Sequence, residues 1–207
     1  MRGGVHISCH QDYVLGGLVL KGKFCLSMLA TLKLTKDQFM LNTINGLTNS
    51  ADKPEFLDEL INSRPRGSKL WLCLGDFNLI WEAHDKNNNN INRGLMRRFR
   101  QVLDASELME IKLQNRRFMW SNRRRNPTLV KLDRVFCNHE WDIILPHTGL
   151  MALSSSLFDH CPLFLCNQQQ PYRRATFKFE SFRHLCWTSY RLCRMPGRSL
   201  PKEATRS

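Results

Sequence analysis

No two cysteines in this 207-residue chain stand at Cys-x-x-Cys spacing, which removes the redox dithiol and the paired-ligand zinc module from consideration. Several of the eight cysteines instead sit inside apolar runs, where a reduced thiol acts as a small hydrophobe, so a reducing compartment is expected. His6, Cys9 and His10 cluster but lack a second ligand pair at finger spacing, and read as coincidence. The most membrane-like stretch, residues 14–34, is interrupted by Lys21, Lys23 and Lys33, so neither a span nor a secretory signal is expected. Internal repeats are absent. Acidic side chains are scarce, 18 Asp and Glu against 31 Lys and Arg, for a net charge of +13.

That charge is clustered. Residues 93–134 carry twelve basic and four acidic side chains, and residues 168–207 carry nine and two. Residues 135–167 carry no Lys or Arg at all. Two concentrated basic segments on an otherwise near-neutral chain are an electrostatic footprint for a polyanion. With 42% apolar residues the chain can bury a sizeable core, most simply as one domain.

Apolar runs at residues 5–7, 18–20 and 25–34, broken by Gly16-Gly17 and Gly22, predict strands joined by tight turns. Residues 39–44 predict another strand, ending at Asn45-Gly46. A helix follows, with Asp52 as N-cap, Glu55 completing a capping box, and Phe56, Leu57, Leu60 and Ile61 on one apolar face. Residues 70–78 form a buried strand that ends in polar groups, where extended backbone would put Asp76 and Asn78 on one face and Phe77 in the core. Leu95, Phe99, Val102 and Leu103 recur at helical spacing, with Arg93, Arg97, Arg98 and Arg100 between them. Strands at 118–121 and 130–137 flank a basic hairpin tip, Arg123-Arg124-Arg125, and residues 140–144 predict a short helix. Further strands are expected at 150–153 and 162–166, and an edge strand at 176–182. Strands alternating with helices indicate an α/β or mixed sandwich.

Three polar features close apolar runs: Asp76 with Asn78, Asp133 beside Arg134, and Asp159-His160. A carboxylate with an amide, a second carboxylate and an Asp-His pair are what phosphodiester hydrolysis needs. Donors stabilise the developing charge, an acid–base group moves protons, and a carboxylate orients a histidine. Alone, each reads more simply as a turn, a surface ion pair and a structural histidine.

In order and spacing, Gly75-Asp76-Phe77-Asn78, Lys131-Leu132-Asp133-Arg134-Val135-Phe136 and Asp159-His160-Cys161-Pro162-Leu163 resemble the last three motifs of the endonuclease/exonuclease/phosphatase superfamily. More narrowly, the chain resembles the endonuclease domain of plant LINE-type (non-LTR) retrotransposon polyproteins. Phe118-Met119-Trp120-Ser121-Asn122, Asn138 with Trp141, and Glu82-Ala83-His84-Asp85-Lys86-Asn87-Asn88 support this. The resemblance implies a four-layer α/β sandwich and Mg²⁺-dependent cleavage of DNA. It assigns Asp76 to acid–base work, Asn78 to holding the phosphate, Asp133 to orienting the histidine, Asp159 to the metal and His160 to the phosphorane. Arg123, Arg124 and Arg125 would contact substrate.

Measured against the family pattern, the chain begins after the asparagine strand and the strand of the metal-binding glutamate, so a truncated domain lacking its first strands is expected. The family's Val-Tyr-Gly-Pro is Ile44-Asn45-Gly46-Leu47 here, placing Asn45 where a tyrosine contacts phosphate, and Phe158 replaces the usual serine. These departures imply impaired cleavage. The expected organisation is a partial nuclease-like domain at 1–167 and a basic, loosely ordered tail at 168–207. The partner is DNA, and the location is intracellular, nuclear for a functional protein. A non-catalytic nucleic-acid-binding protein and a non-functional remnant are the alternatives.

Overall fold

A computed structural model describes residues 5–46, 48–67, 69–154 and 160–167. The expected tail at 168–207, its edge strand at 176–182 and Asp159 lie outside the described residues. The chain opens with β1 (Val14–Lys21), β2 (Cys25–Leu32) and β3 (Gln38–Asn45), then α1 (Lys53–Asn62) and β4 (Leu70–Asp76). Next come α2 (Arg93–Ala105), β5 (Met109–Glu110), β6 (Trp120–Ser121), β7 (Leu129–Val130) and β8 (Asp133–Cys137). It closes with α3 (His139–Ile144), β9 (Thr148–Ala152) and β10 (Leu163–Asn167). Residues 5–7 form no strand, and one strand expected at 130–137 is broken at Lys131-Leu132 into β7 and β8.

Six strands make a mixed sheet in the order β1-β2-β3-β4-β8-β5, with β3 and β4 parallel and the other neighbours antiparallel. Two-residue alternation sorts β4 into two cores. Trp71 and Cys73 face one side with Phe24, Phe56, Leu60, Phe77, Phe99 and Phe136, beneath α1 and α2. Leu72 faces the other with Val135, Cys137, Ile111 and Leu150, against the antiparallel pair β9–β10. Because both faces are covered, β4 reads as an unbroken apolar run. The result is an α/β sandwich, a mixed sheet with helices over one face and a second sheet over the other.

Local chemistry corrects two details of α1. Pro54 suits the first turn, where its missing N–H is not needed, but Asp52 makes no side-chain cap. Asp52 and Glu55 instead reach Lys23 Nζ at 3.1 and 2.6 Å. The capping amide is Asn49, whose Oδ1 accepts from Ala51 N one turn earlier. Ile61, expected on the apolar face, is 42% exposed. Glu59 takes that anchoring role by accepting from the backbone N–H groups of Lys23, Phe24 and Cys25, which ties the β1–β2 turn to the helix.

Asn138 explains the cluster around Trp141. Its Oδ1 caps α3 by accepting from Trp141 N and also accepts from Trp71 N, joining the helix to the start of β4.

Candidate active site

The alternation that buries Leu72 and Val135 also sets the face of the polar residues that follow. Asn45 is the register partner of Asp76 in the parallel pair, and Asp76 is the partner of Asp133 in the antiparallel one. Asn45, Asp76 and Asp133 therefore form a row across three adjacent strand ends, on the side facing β9–β10. From the segment leading into β10, His160 Nδ1 lies 2.7 Å from Asp133 Oδ2. Trp120 bridges His160 through the backbone, and Arg116 Nη1 donates to Cys161 Sγ at 2.7 Å. Residues distant in sequence are thus brought to one end of the packed seam between the sheets.

Gly75 and Gly46 make this close approach possible. Gly75 has φ +137°, and a Cβ there would lie 2.1 Å from the carbonyl oxygen of Ile44. A Cβ at Gly46 would lie 2.4 Å from the Phe77 carbonyl oxygen. Past Asp76 the chain turns, so Asn78 is not in the extended conformation that alternation predicts. Its φ is +48°, a left-handed conformation asparagine tolerates. Asn78 N donates to Asp76 Oδ1 at 2.9 Å, and Asn78 Nδ2 donates to Asp76 Oδ2 and to the Gly46 carbonyl. Phe77 is fully buried, as its place between the two polar residues requires.

Burial, followed by the charge of Asp133, pushes the Asp76 carboxyl up to about 6, while the Asn78 N–H, His160 and Lys53 pull in the opposite direction. A carboxyl raised in the folded state binds more protons there than in the unfolded chain, so Asp76 makes stability fall as pH rises from about 4 to about 6. The full shift corresponds to about 3 kcal/mol lost above that window. Asp76→Asn gives up one acceptor toward Asn78, worth about 1 kcal/mol, and is expected to be more stable than the parent by about 1–2 kcal/mol at pH 7. Urea unfolding at pH 4 and pH 7 checks this, with the gain confined to the higher pH.

The basic tip lies between β6 and β7. Arg123 has φ +52°, and Arg123, Arg124 and Arg125 are exposed. Asn122 Oδ1 accepts from Arg124 N and Thr128 N, which sets the turn. The asparagine loop, which looks featureless in sequence, braces this hairpin. Asn87 accepts from Leu129 N and donates to the Leu129 and Pro127 carbonyls, and Lys86 bridges Val130. A cleft of about 530 Å³ lined by Arg116, Arg117, Phe118, Trp120, Arg123 and Cys161 opens beside His160. Residue order alone does not mark Arg116 or Trp120 as site residues, although both fall in the basic segment 93–134.

Taken alone, Asp133 beside Arg134 reads as a surface ion pair. Instead Arg134 is wholly buried on the opposite face and pairs with Asp85 and Glu110, leaving Asp133 to His160. The expected Mg²⁺ needs near-octahedral oxygen ligation with carboxylates free to bind. Both Asp76 oxygens accept from Asn78, one Asp133 oxygen is engaged by His160, and no group of three potential ligands is present among the described residues. The described donors do not fit that ion, and Asp159 is not among them.

No family model matches the chain, and no curated protein matches it in sequence. Solved structures do match in fold. The endonuclease domain of TRAS1, a telomere-specific non-LTR retrotransposon, superposes at a TM-score of 0.60 with 13% identity, over 78% of this chain and 72% of that one. A functionally unknown conserved protein from Enterococcus faecalis V583 gives 0.48 at 14% identity, over 77% and 69%. An endonuclease/exonuclease/phosphatase family protein from Bacteroides thetaiotaomicron gives 0.46 at 13% identity, over 75% and 66%.

Proposed function

We propose that this chain, which has the endonuclease/exonuclease/phosphatase fold, is a retrotransposon-derived endonuclease-like domain. Its ancestral reaction is Mg²⁺-dependent cleavage of a phosphodiester in DNA, impaired here. The observation that carries the reading is the Asp133–His160 contact of 2.7 Å, held beside Asp76 on one row of strand ends. Asp133 orients the imidazole at the strand ends, where a histidine donor would meet the charge that develops on a phosphate under attack. A carboxyl raised to about 6 suits Asp76 to accept a proton from water near neutral pH. Asn78 Nδ2, however, is spent on Asp76 and Gly46 rather than presented to a phosphate, and Asn45 lacks the reach of a phenol. These features support impairment.

Supercoiled plasmid incubated with Mg²⁺ tests the reading. Nicking at or near background is expected, and any residual activity should drop about 100-fold in His160→Ala. Rapid nicking abolished by Asp76→Asn and His160→Ala would overturn the impairment.

Non-catalytic nucleic-acid binding is the second reading, favoured by the exposed Arg93, Arg97 and Arg98 of α2 and by the hairpin arginines. Counterion release then makes affinity fall steeply with salt and depend little on sequence. Replacing Arg123, Arg124 and Arg125 together by alanine should flatten the slope of log K against log salt by about 2–3. Binding titrations between 50 and 200 mM salt measure it, and an unchanged slope would remove the hairpin from the interface.

A further inference from the structure

β1 ends the six-stranded sheet, and among the described residues no strand pairs with its outer side. Natural edge strands are ordinarily blunted by charge, proline or a covering segment, because their free N–H and C=O groups template pairing with another chain. Residues 14–20 carry neither charge nor proline. Leu15, Leu18 and Val19 are 57, 65 and 56% exposed. Cys9, in the segment before β1, packs on Met28 at 3.7 Å and leaves those three side chains in solvent. The irregularity of the strand between Leu18 and Leu20 brings no charge to the edge.

The residues bounding this apolar stretch select its occupant. In a symmetric antiparallel pair of identical strands, the two-fold axis passes through one residue set opposite itself. Centred on Gly16, Asp12 would face Leu20 of the second copy. Centred on Leu18, Lys21 would face Leu15. Centred on Gly17, Val14 faces Leu20, Leu15 faces Val19 and Gly16 faces Leu18, each twice by symmetry. Lys21 then faces Tyr13, beside Asp12, at both ends, and all three are exposed. Of these three registers, the one about Gly17 keeps charge away from apolar partners and brings opposite charges together at each end. The space over Gly17 is also open, since a Cβ there meets nothing within 4 Å.

We propose that β1 is a self-association surface, on which a second copy of this chain adds its own β1 antiparallel about Gly17 and joins the two sheets into one. Backbone hydrogen bonds between the edges supply affinity, and the facing leucines and valines leave water together. β2 and β3 lie between this edge and β4, so the inference does not depend on how the centre at Asp76 is read.

The test is the oligomeric state of the intact chain by sedimentation equilibrium at about 300 mM salt, where bridging by nucleic acid is screened. At about 100 μM the mass should approach twice that of one chain. Folded Val19→Lys, which sets an ammonium into the pairing edge at an already exposed position, should raise the dissociation constant at least about 10-fold. Oxidised Gly17→Cys should yield a disulfide joining position 17 of the two copies, identified by peptide mass spectrometry, because opposed residues on antiparallel strands lie within disulfide reach. Where Val19→Lys does not fold, this cross-link decides. A parent that stays monomeric, a dimer that folded Val19→Lys does not weaken, or a dimer whose oxidised Gly17→Cys form lacks that linkage overturns the proposal.

Discussion

Arg134→Ala is expected to destabilise the protein by about 3–5 kcal/mol, lowering its urea midpoint far more than substitution of any exposed arginine. The guanidinium is wholly buried, with one nitrogen on Asp85 and another on Glu110, whose side chains are 3% and 6% exposed. Its removal leaves two carboxylates in the interior. Lys131 Nζ, 2.8 Å from Glu110, answers only one of them. Arg134→Lys should recover part of the loss, because one ammonium cannot reproduce a fork that spans two acids. The damage should extend to the hairpin. Asp85 also accepts from Trp81 N and Glu82 N, its carbonyl accepts from Lys131 N, and the loop it anchors continues into the asparagines that brace β6–β7. A loss below about 1 kcal/mol would show that the triad is not a structural joint.

Gly75→Ala should cost about 3 kcal/mol or more, since the new Cβ would meet backbone rather than a movable side chain. Ile44 is the parallel partner of Gly75, and its carbonyl oxygen lies 2.1 Å from the Cβ position, so relief requires β3 and β4 to part at the end carrying Asn45 and Asp76. The positive φ adds backbone strain. Gly17→Ala is the matched control. A Cβ at Gly17 meets nothing within 4 Å, so a change of about 0.5 kcal/mol or less is expected there. Thermal or urea unfolding of the pair separates a steric requirement from a generic glycine effect. Equal losses would contradict it.

The sequence by itself determined the strands and helices that bury whole faces. The run through Leu72 and Cys73, and the helical spacing of Phe99, Val102 and Leu103, are local periodicities, and any fold that buries them must use them this way. It also determined which polar residues end those runs, because a carboxylate or an amide after five apolar residues has no place in the core. Short elements escaped it. β5 has two residues and is held by pairing with β8, not by any propensity of Met109 and Glu110.

Tertiary structure alone decided which polar residues are partners. Adjacent in the chain, Asp133 and Arg134 point to opposite faces of β8. One meets a histidine 27 positions later, and the other meets Asp85 from the segment between β4 and α2 and Glu110 from β5. Asn78 turns back on Asp76 only because the strand stops and φ becomes positive, and spacing cannot report a dihedral. Periodicity reports which side of an element is buried. Which charge answers which depends on register and on the packing of distant segments, and those exist only once the sheets have closed.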